Sequence, residues 1–293
     1  MWPVGIIRRV VLLALVLIAA TFAAASDAAK ARDGYFTTSD GVRLHYLEAG
    51  QGPAMVFVPG WTMPAWIWEA QIRHFSQHYH VIALDVRSQG KSAKVSEGNY
   101  PERRARDIYE LIAAQKLAPA VLVGWSLAGA DLLAYADQFG GSDIRAYVLV
   151  DAFAWDKLDP QFVTAMVGMY RQVQLNRREF TEKFVRSMYK KPQPEEYMQR
   201  VVAASLQVPT DTAIASSVNS VARADWTSAI RKLDRPVLIT CETALKPMAA
   251  DPVKALVPST RVELFDAAGH ALFVDDAEKF DNVVEDFLAH PPQ

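Results

Sequence analysis

The sequence lacks two features that would support particular classes of function. It has a single cysteine, Cys241, which excludes an intramolecular disulfide and any zinc or iron–sulfur site built from several cysteines. It also lacks a basic excess, with 31 Lys and Arg against 33 Asp and Glu in 293 residues. Nucleic-acid binding is therefore not expected. Cys241 could be a nucleophilic thiol, but its place at the end of an apolar run favours a small buried hydrophobic residue.

Motifs for metal binding are also absent. Three of the six histidines, His74, His78 and His80, lie close together, and the first two are spaced as helix neighbours. No carboxylate motif accompanies them, and the H-E-x-x-H string of zinc enzymes does not occur. We interpret these histidines as a solvated helix end, and we predict neither a metal nor an organic cofactor.

The N-terminus has the pattern of a secretory signal peptide. Arg8 and Arg9 precede an almost wholly apolar run over residues 10–22, and three alanines follow at residues 23–25. A charged start, a short apolar core and small residues at the end predict cleavage after Ala25. The alternative is an uncleaved membrane anchor, although the run is shorter than the about 20 residues that a bilayer requires. We expect a periplasmic or secreted protein with no stable membrane span after cleavage.

The rest of the chain alternates short apolar runs with helical stretches. Residues 26–33 are predicted to be a flexible remnant of the leader, and residues 35–38 and 42–48 a hairpin around Asp40-Gly41. The later runs are continuously apolar, as in strands buried on both faces of a parallel sheet. Strands are predicted over residues 54–58, 81–85, 120–123, 146–150, 236–240 and 261–265, and helices over 66–75, 101–115, 127–139 and 277–288. These patterns indicate an α/β fold with a mostly parallel sheet flanked by helices.

Between residues 152 and 225 no convincing buried strand occurs. Phe162, Met166, Met169, Tyr170 and Val173 follow helical spacing. We therefore predict a helical cap over residues 152–225, inserted after the sixth strand between core segments 26–151 and 226–293. Its Met and aromatic side chains either line an acyl pocket or pack against the core.

A serine lies in a tight turn between a predicted strand and a predicted helix. Gly124 and Ala128 stand two residues before and two residues after Ser126, where large side chains would not fit. Such a turn leaves the serine hydroxyl at a helix N-terminus, where free N–H groups favour developing negative charge. Ser126 is therefore the predicted nucleophile.

The nucleophile requires a base and an oxyanion hole. His270 follows the last predicted strand, so it has the position expected of a general base in the chain order nucleophile, acid, histidine. The N–H of Leu127, directly after the nucleophile, is one predicted oxyanion donor. The N–H of Trp61, in the turn after the first buried strand, is the second. The Trp61 ring either shapes the pocket entrance or packs as an ordinary aromatic.

These motifs resemble those of the α/β-hydrolase superfamily, in particular the small carboxylesterases that group with cofactor-free haloperoxidases and aryl esterases. The resemblance covers about residues 34–290 and includes the turn at residues 59–61, the string at residues 85–92, the Ser126 turn and the Gly269-His270 loop. Relatives usually have glycine where this chain has Ser88. The resemblance implies structural roles for Asp85 and Arg87 beside the active-site strand.

The chain departs from the family at the acid that orients the histidine. Relatives usually carry an aspartate in a G-x-x-D string after the strand at residues 236–240, and residues 241–245 contain neither that glycine nor that aspartate. Three carboxylates are candidates. Asp151 ends the preceding strand, Glu242 begins the usual acid loop, and Asp251 lies where it would cap a helix. The missing aspartate favours Asp151, with Glu242 as the alternative.

Together these features predict an exported serine hydrolase that cleaves small-molecule esters through an acyl-enzyme on Ser126. Lactone hydrolysis, perhydrolysis of the haloperoxidase type and C–C bond hydrolysis are alternatives at the same site. A ligand receptor without activity is the alternative from another class. The sequence leaves the acyl and alcohol parts of the substrate and the oligomeric state open.

Overall fold

A computed structural model describes residues 31–154, 160–223 and 225–292 of the chain. The signal peptide predicted at residues 1–25 lies outside these ranges and stays a prediction. In the described ranges, none of the helices is long and apolar enough to cross a membrane.

The core of the protein is an eight-stranded sheet with the order β1-β2-β4-β3-β5-β6-β7-β8. The strands are β1 Arg32–Thr37, β2 Arg43–Ala49, β3 Ala54–Val58, β4 His80–Asp85, β5 Ala120–Trp125, β6 Ile144–Val150, β7 Val237–Cys241 and β8 Arg261–Leu264. β2 pairs antiparallel with both β1 and β4, and the strands from β4 to β8 pair in parallel. Because parallel strands end at the same edge, the carboxyl ends of β3, β5, β6, β7 and β8 face one side of the sheet.

Helices cover both faces of the sheet. They are α1 Glu69–Phe75, α2 Pro101–Ala114, α3 Ala128–Phe139, α4 Pro160–Leu175, α5 Arg177–Ser187, α6 Glu195–Leu206, α7 Thr210–Ala222, α8 Thr227–Arg231, α9 Lys246–Ala249, α10 Asp251–Leu256, α11 Leu272–Asp275 and α12 Ala277–Ala289. Short 3₁₀ turns occur at Ala65–Trp68 and Thr243–Leu245.

Alternation along β3 shows how the sheet divides the core. Val56 belongs to a buried cluster with Ile108 of α2, whereas Phe57 belongs to a second cluster with Ile72 of α1 and Phe280 of α12. Since neighbouring side chains of a strand point to opposite faces, both faces of β3 are buried, which requires the continuously apolar sequence seen there. The predicted α/β fold with a mostly parallel sheet is confirmed.

Two predictions near the N-terminal half are wrong in detail. Residues 32 and 33 are the first residues of β1 rather than a flexible remnant, because Arg32 and Asp33 pair with Glu48 and Leu47 of β2. The single helix predicted over residues 66–75 is a 3₁₀ turn followed by α1. Ser88, in the turn after β4, has φ of 69°, a left-handed conformation that glycine adopts at lower cost, as in the family string.

In the described ranges, five helices, α4 to α8, lie between β6 and β7. The first four, α4 to α7, fall within residues 152–225, where the sequence predicts a helical cap, and are called the cap helices below. Val173 of α4 is fully buried in a small cluster with Trp61 of the turn after β3 and with Val208 and Ala213. The exact limits of a separate cap stay a prediction.

Candidate active site

Ser126 lies between the end of β5 and the start of α3. Its φ of 55° is left-handed, a conformation that costs a non-glycine residue energy and that is enriched at functional sites. Two backbone hydrogen bonds hold the turn: the Ser126 N–H donates to the Val150 carbonyl at 2.9 Å, and the Gly129 N–H donates to the Ser126 carbonyl at 3.0 Å. The sharp turn leaves the Ser126 side chain facing a cavity.

His270 follows β8 and meets Ser126 at that cavity. Its Nε2 atom lies 2.9 Å from the Ser126 Oγ atom. The loop is fixed from two sides, since the Trp125 indole donates to the His270 carbonyl at 2.9 Å and the Ala271 N–H donates to the Met188 carbonyl at 2.8 Å. Gly269 is required for this fit, because a Cβ atom there would lie 2.8 Å from the Met188 carbonyl oxygen.

Asp151 is the carboxylate in contact with the histidine. Its Oδ2 atom lies 2.7 Å from His270 Nδ1, and the side chain is fully buried. Asp151 follows β6 with a left-handed φ of 45°, and its N–H donates to the Thr240 carbonyl at 2.7 Å. Its Oδ1 atom accepts the N–H of Glu242 at 2.9 Å. Both carboxylate oxygens therefore have a hydrogen-bond partner.

Neither of the other two candidate acids forms a hydrogen bond to His270 in the described ranges. Glu242 follows β7 and reaches the cavity, but within the described ranges its carboxylate forms no hydrogen bond to His270. Asp251 forms an ion pair with Lys246. It does not cap a helix as predicted, because it is the first residue of α10 and its side chain makes no capping bond.

The two hydrogen-bond contacts of His270 determine which group holds each proton among Ser126, His270 and Asp151. An ionised carboxylate only accepts hydrogen bonds, so the Nδ1–H of His270 donates to Asp151. Nε2 is then the unprotonated ring nitrogen and accepts the Ser126 hydroxyl proton. This arrangement provides a nucleophile, its base and a group that fixes the tautomer of the base.

The two predicted oxyanion donors flank Ser126. Trp61 and Leu127 both line the cavity that contains Ser126 and His270. A Cβ atom on Gly60 would lie 3.1 Å from the Ser126 Cβ, a crowded distance, so the Gly60–Trp61 backbone passes close to the nucleophile. In the described part of the chain, the N–H groups of Trp61 and Leu127 donate to no protein atom. Both groups are available to a substrate oxygen.

The Trp61 side chain joins this turn to the cap helices. Its indole Nε1 donates to the Ala213 carbonyl of α7 at 2.6 Å, and its ring makes edge contacts with Phe180 and Phe184 of α5. Trp61 is only 6% exposed. The ring therefore both packs against the cap and lines the cavity.

The cavity has a volume of about 380 Å³ and a mainly apolar lining. Phe162, Met166 and Met169, spaced along one face of α4, form part of its wall, as one of the two sequence interpretations expects. Tyr170 instead bonds the Ser217 hydroxyl at 3.1 Å, and Val173 packs in the small cluster around Trp61. Pockets of this size and apolar character bind small molecules.

Several residues of the cavity wall were not predicted from the sequence. Phe153, Phe184, Met188, Val221 and Leu245 all line the cavity. Phe180 and Phe184, one turn apart on α5, were a detectable signal, but helical spacing alone does not say which neighbour a face contacts.

Burial and nearby charge raise two pKa values at this edge of the sheet. Burial, followed by the charge of Asp151, raises the pKa of Glu242. Burial raises the pKa of the Cys241 thiol to about 12, so Cys241 is an inert buried residue at the end of β7.

Three side chains at the site lie close enough together to be considered as metal ligands. Within the described ranges, Asp151, Glu242 and His270 are the one group whose ligand atoms approach within 4.8 Å of one another. Asp151 and His270 already bond each other there. His74 instead contacts Glu285 and His80 contacts Glu48, so these histidines do not converge on a site.

Comparison with known proteins agrees with this geometry. A sequence model of the alpha/beta hydrolase family matches residues 55–283. A non-heme chloroperoxidase of Kitasatospora aureofaciens is 26% identical over 273 residues, which are 86% of this chain and 98% of the relative. A bifunctional esterase/perhydrolase of Acinetobacter calcoaceticus is 30% identical over 122 residues, 41% of this chain and 44% of the relative.

Among solved structures, an esterase from Exiguobacterium antarcticum superimposes with a TM-score of 0.79 at 23% identity, covering 87% of this chain and 98% of the esterase. That likeness concerns the fold. The family match covers most of the chain, and the chain belongs to the alpha/beta hydrolase family. The predicted resemblance to small esterases and cofactor-free haloperoxidases is confirmed.

Proposed function

We propose that the protein is an exported serine hydrolase that cleaves carboxylic esters through an acyl-enzyme on Ser126. The observation that carries the proposal is the hydrogen-bonded chain from Ser126 through His270 to Asp151, which opens on an apolar cavity. Ester hydrolysis needs a nucleophile, a base that becomes an acid, and donors for the oxyanion. The site contains a candidate for each.

In the acylation half, the Ser126 Oγ attacks the ester carbonyl carbon while His270 Nε2 accepts the hydroxyl proton. The carbonyl oxygen becomes an oxyanion that accepts hydrogen bonds from the N–H groups of Leu127 and Trp61. Asp151 stabilises the imidazolium. His270 then gives its proton to the alcohol oxygen as the bond between carbonyl carbon and alcohol oxygen breaks, which leaves the acyl group on Ser126.

In the deacylation half, a water molecule takes the place of the alcohol. His270 accepts a proton from this water, and the water oxygen attacks the acyl carbon. The tetrahedral intermediate collapses as His270 returns the proton to Ser126 Oγ, and the carboxylic acid leaves.

Covalent labelling tests the proposal. An activated serine reacts with a fluorophosphonate, so we expect one equivalent of label on Ser126, identified by peptide mass spectrometry, and none on Ser126→Ala. An unlabelled wild-type protein would favour the receptor alternative. A panel of esters and lactones then identifies the reaction class, and cleavage of lactones alone would overturn the assignment to ester hydrolysis.

Perhydrolysis is a second candidate, favoured by the names of the relatives. One is a chloroperoxidase and another a bifunctional esterase/perhydrolase. In this reaction hydrogen peroxide replaces water in deacylation and the product is a peracid. Release of peracid from acetate and hydrogen peroxide, lost in Ser126→Ala, would establish it.

Export is part of the proposal and rests on residues 1–25. Expression of the full chain in a bacterial host should deliver a protein that begins at Ser26 to the periplasm or medium. A membrane-bound protein that retains Met1 would show an anchor instead.

A further inference from the structure

The cavity wall contains one carboxylate that the mechanism above does not use. Glu242 is the first residue after β7, next to the strand β6 that carries Asp151. Its carboxylate lines the cavity together with His270 and Ser126. Within the described residues this carboxylate forms no hydrogen bond or ion pair, although the side chain is partly buried in a mainly apolar surface.

The distances bring this carboxylate close to the imidazole. Ligand atoms of Asp151, Glu242 and His270 lie within 4.8 Å of one another. The Glu242 N–H also donates to Asp151 Oδ1 at 2.9 Å, so the two acids share one rigid corner of the sheet. Charges this close interact by about 1 kcal/mol or more even when water screens them.

Other charged groups around Glu242 are already paired. Lys190, after α5, donates its Nζ to the Asp266 carbonyl, and Asp275 of α11 accepts the N–H groups of Lys190 and Gly269. Burial, followed by the charges of Asp151 and Asp275, raises the pKa of Glu242, and His270 and Lys190 lower it. A positive imidazole therefore offsets part of the repulsion between Glu242 and Asp151.

We propose that Glu242 is a second carboxylate for His270. It adds to the stabilisation of the imidazolium, and it partly replaces Asp151 when that carboxylate is removed. The inference rests on the proposed function, because it assumes that His270 is the base. In this role Glu242 is a positioning residue that acts through His270 and does not touch the reacting atoms.

The first test is a pH profile. Glu242→Gln removes the charge and keeps the shape of the side chain. We expect the acid limb of kcat/KM to move to lower pH by about half a unit, because the imidazolium loses a stabilising charge. Asp251→Asn, in the same segment but paired with Lys246, is the matched control and should leave the limb in place.

The second test is a double-mutant cycle with Asp151. Asp151→Gly suits the left-handed φ at that position and leaves space for the longer Glu242 side chain to approach Nδ1. We expect Glu242→Gln to lower kcat by less than about threefold in the wild type and by about tenfold or more in the Asp151→Gly background. Asp151→Asn is the second background if the glycine variant does not fold.

Two outcomes would overturn the inference: an unshifted acid limb in Glu242→Gln, or the same loss in both backgrounds. The pH dependence of fluorophosphonate labelling repeats the test without a substrate. If the wild type is neither labelled nor active, the proposed function itself fails. If the wild type is active and labelled but indifferent to Glu242, only the role of Glu242 fails.

Discussion

Strand β5, which leads into Ser126, and helix α4, which lines the cavity around Ser126, differ sharply in burial. Every residue of β5 is buried, whereas α4 has one buried residue, Val173, among its sixteen. Val167 and Leu175 of α4 are 61% and 60% exposed. The reacting groups are therefore held by a close-packed sheet, and part of the cavity wall is held by few contacts. If the proposed function holds, we expect the chemistry to depend on the sheet and substrate selection to depend on the cap helices.

The largest expected effect comes from the sheet. Ser126→Ala should lower kcat for esters by about 10⁴-fold or more, because the nucleophile is lost, with an unchanged melting temperature. Ser187→Ala is the matched control. Ser187 lines the same cavity from the cap side, and its hydroxyl donates to the Phe184 carbonyl. Its loss should change kcat by less than about threefold, and equal losses in both variants would contradict the division.

Substitutions in the sheet should lower the free energy of unfolding more than substitutions in the cap helices. Phe57 of β3 is fully buried and its ring lies 5.0 Å from that of Trp68. Phe57→Ala should lower the free energy of unfolding by about 3–5 kcal/mol because it leaves a cavity in the core. Val167→Ala on α4 should change it by less than about 0.5 kcal/mol. Denaturant unfolding measures both, and a large loss at Val167 would show that its exposed face is covered in solution.

Selectivity between acyl groups, unlike stability, should depend on the cap helices more than on the sheet. Met169→Trp fills part of the cavity from α4. We expect kcat/KM for bulky acyl esters to fall by about 10- to 100-fold, while acetyl esters change by less than about threefold, because a small acyl group needs less of the cavity volume. An equal loss for both esters would mean that the change disturbs Ser126 or His270 rather than the acyl site.

A smaller effect, on the pH dependence of stability, is expected from Asp281, a buried carboxylate of α12. Burial raises the pKa of Asp281 in α12 to about 6, with Gln71 donating to it at 3.1 Å. The native state therefore holds this proton more tightly than the unfolded chain, and stability falls as the pH rises from about 4 to 6. Asp281→Asn should therefore raise the free energy of unfolding by about 1–2 kcal/mol more at pH 8 than at pH 4.5, as measured by denaturant unfolding at both pH values.

Glu195 of α6 is the matched control for this pH effect. It is exposed and pairs with Arg186 on the cap surface. Glu195→Gln should leave the pH dependence of the melting temperature unchanged, because solvent screens such pairs. A stabilisation by Asp281→Asn that is equal at both pH values would contradict the burial argument.

Much of the fold followed from periodicity. The strand over residues 54–58 has the limits that were predicted, and β5, β6 and β7 differ from their predictions by two residues or fewer at each end. Helix detail was less accurate. The 3₁₀ turn before α1 begins at Ala65, whose N–H donates to Asp85 Oδ1 at 2.5 Å. A contact between residues twenty positions apart leaves no local pattern.

The sequence by itself determined the sheet, the tight turn around Ser126 and the loop position of His270, because strand burial and turn sterics are local properties of the chain. Only the tertiary structure decided which carboxylate contacts His270. Asp151 and Glu242 follow the neighbouring strands β6 and β7. Which of them contacts His270 depends on the direction in which each side chain points from the end of its strand. Asp151, with its left-handed φ, places its carboxylate 2.7 Å from Nδ1, and the Glu242 carboxylate remains beside the pair without a hydrogen bond to either side chain.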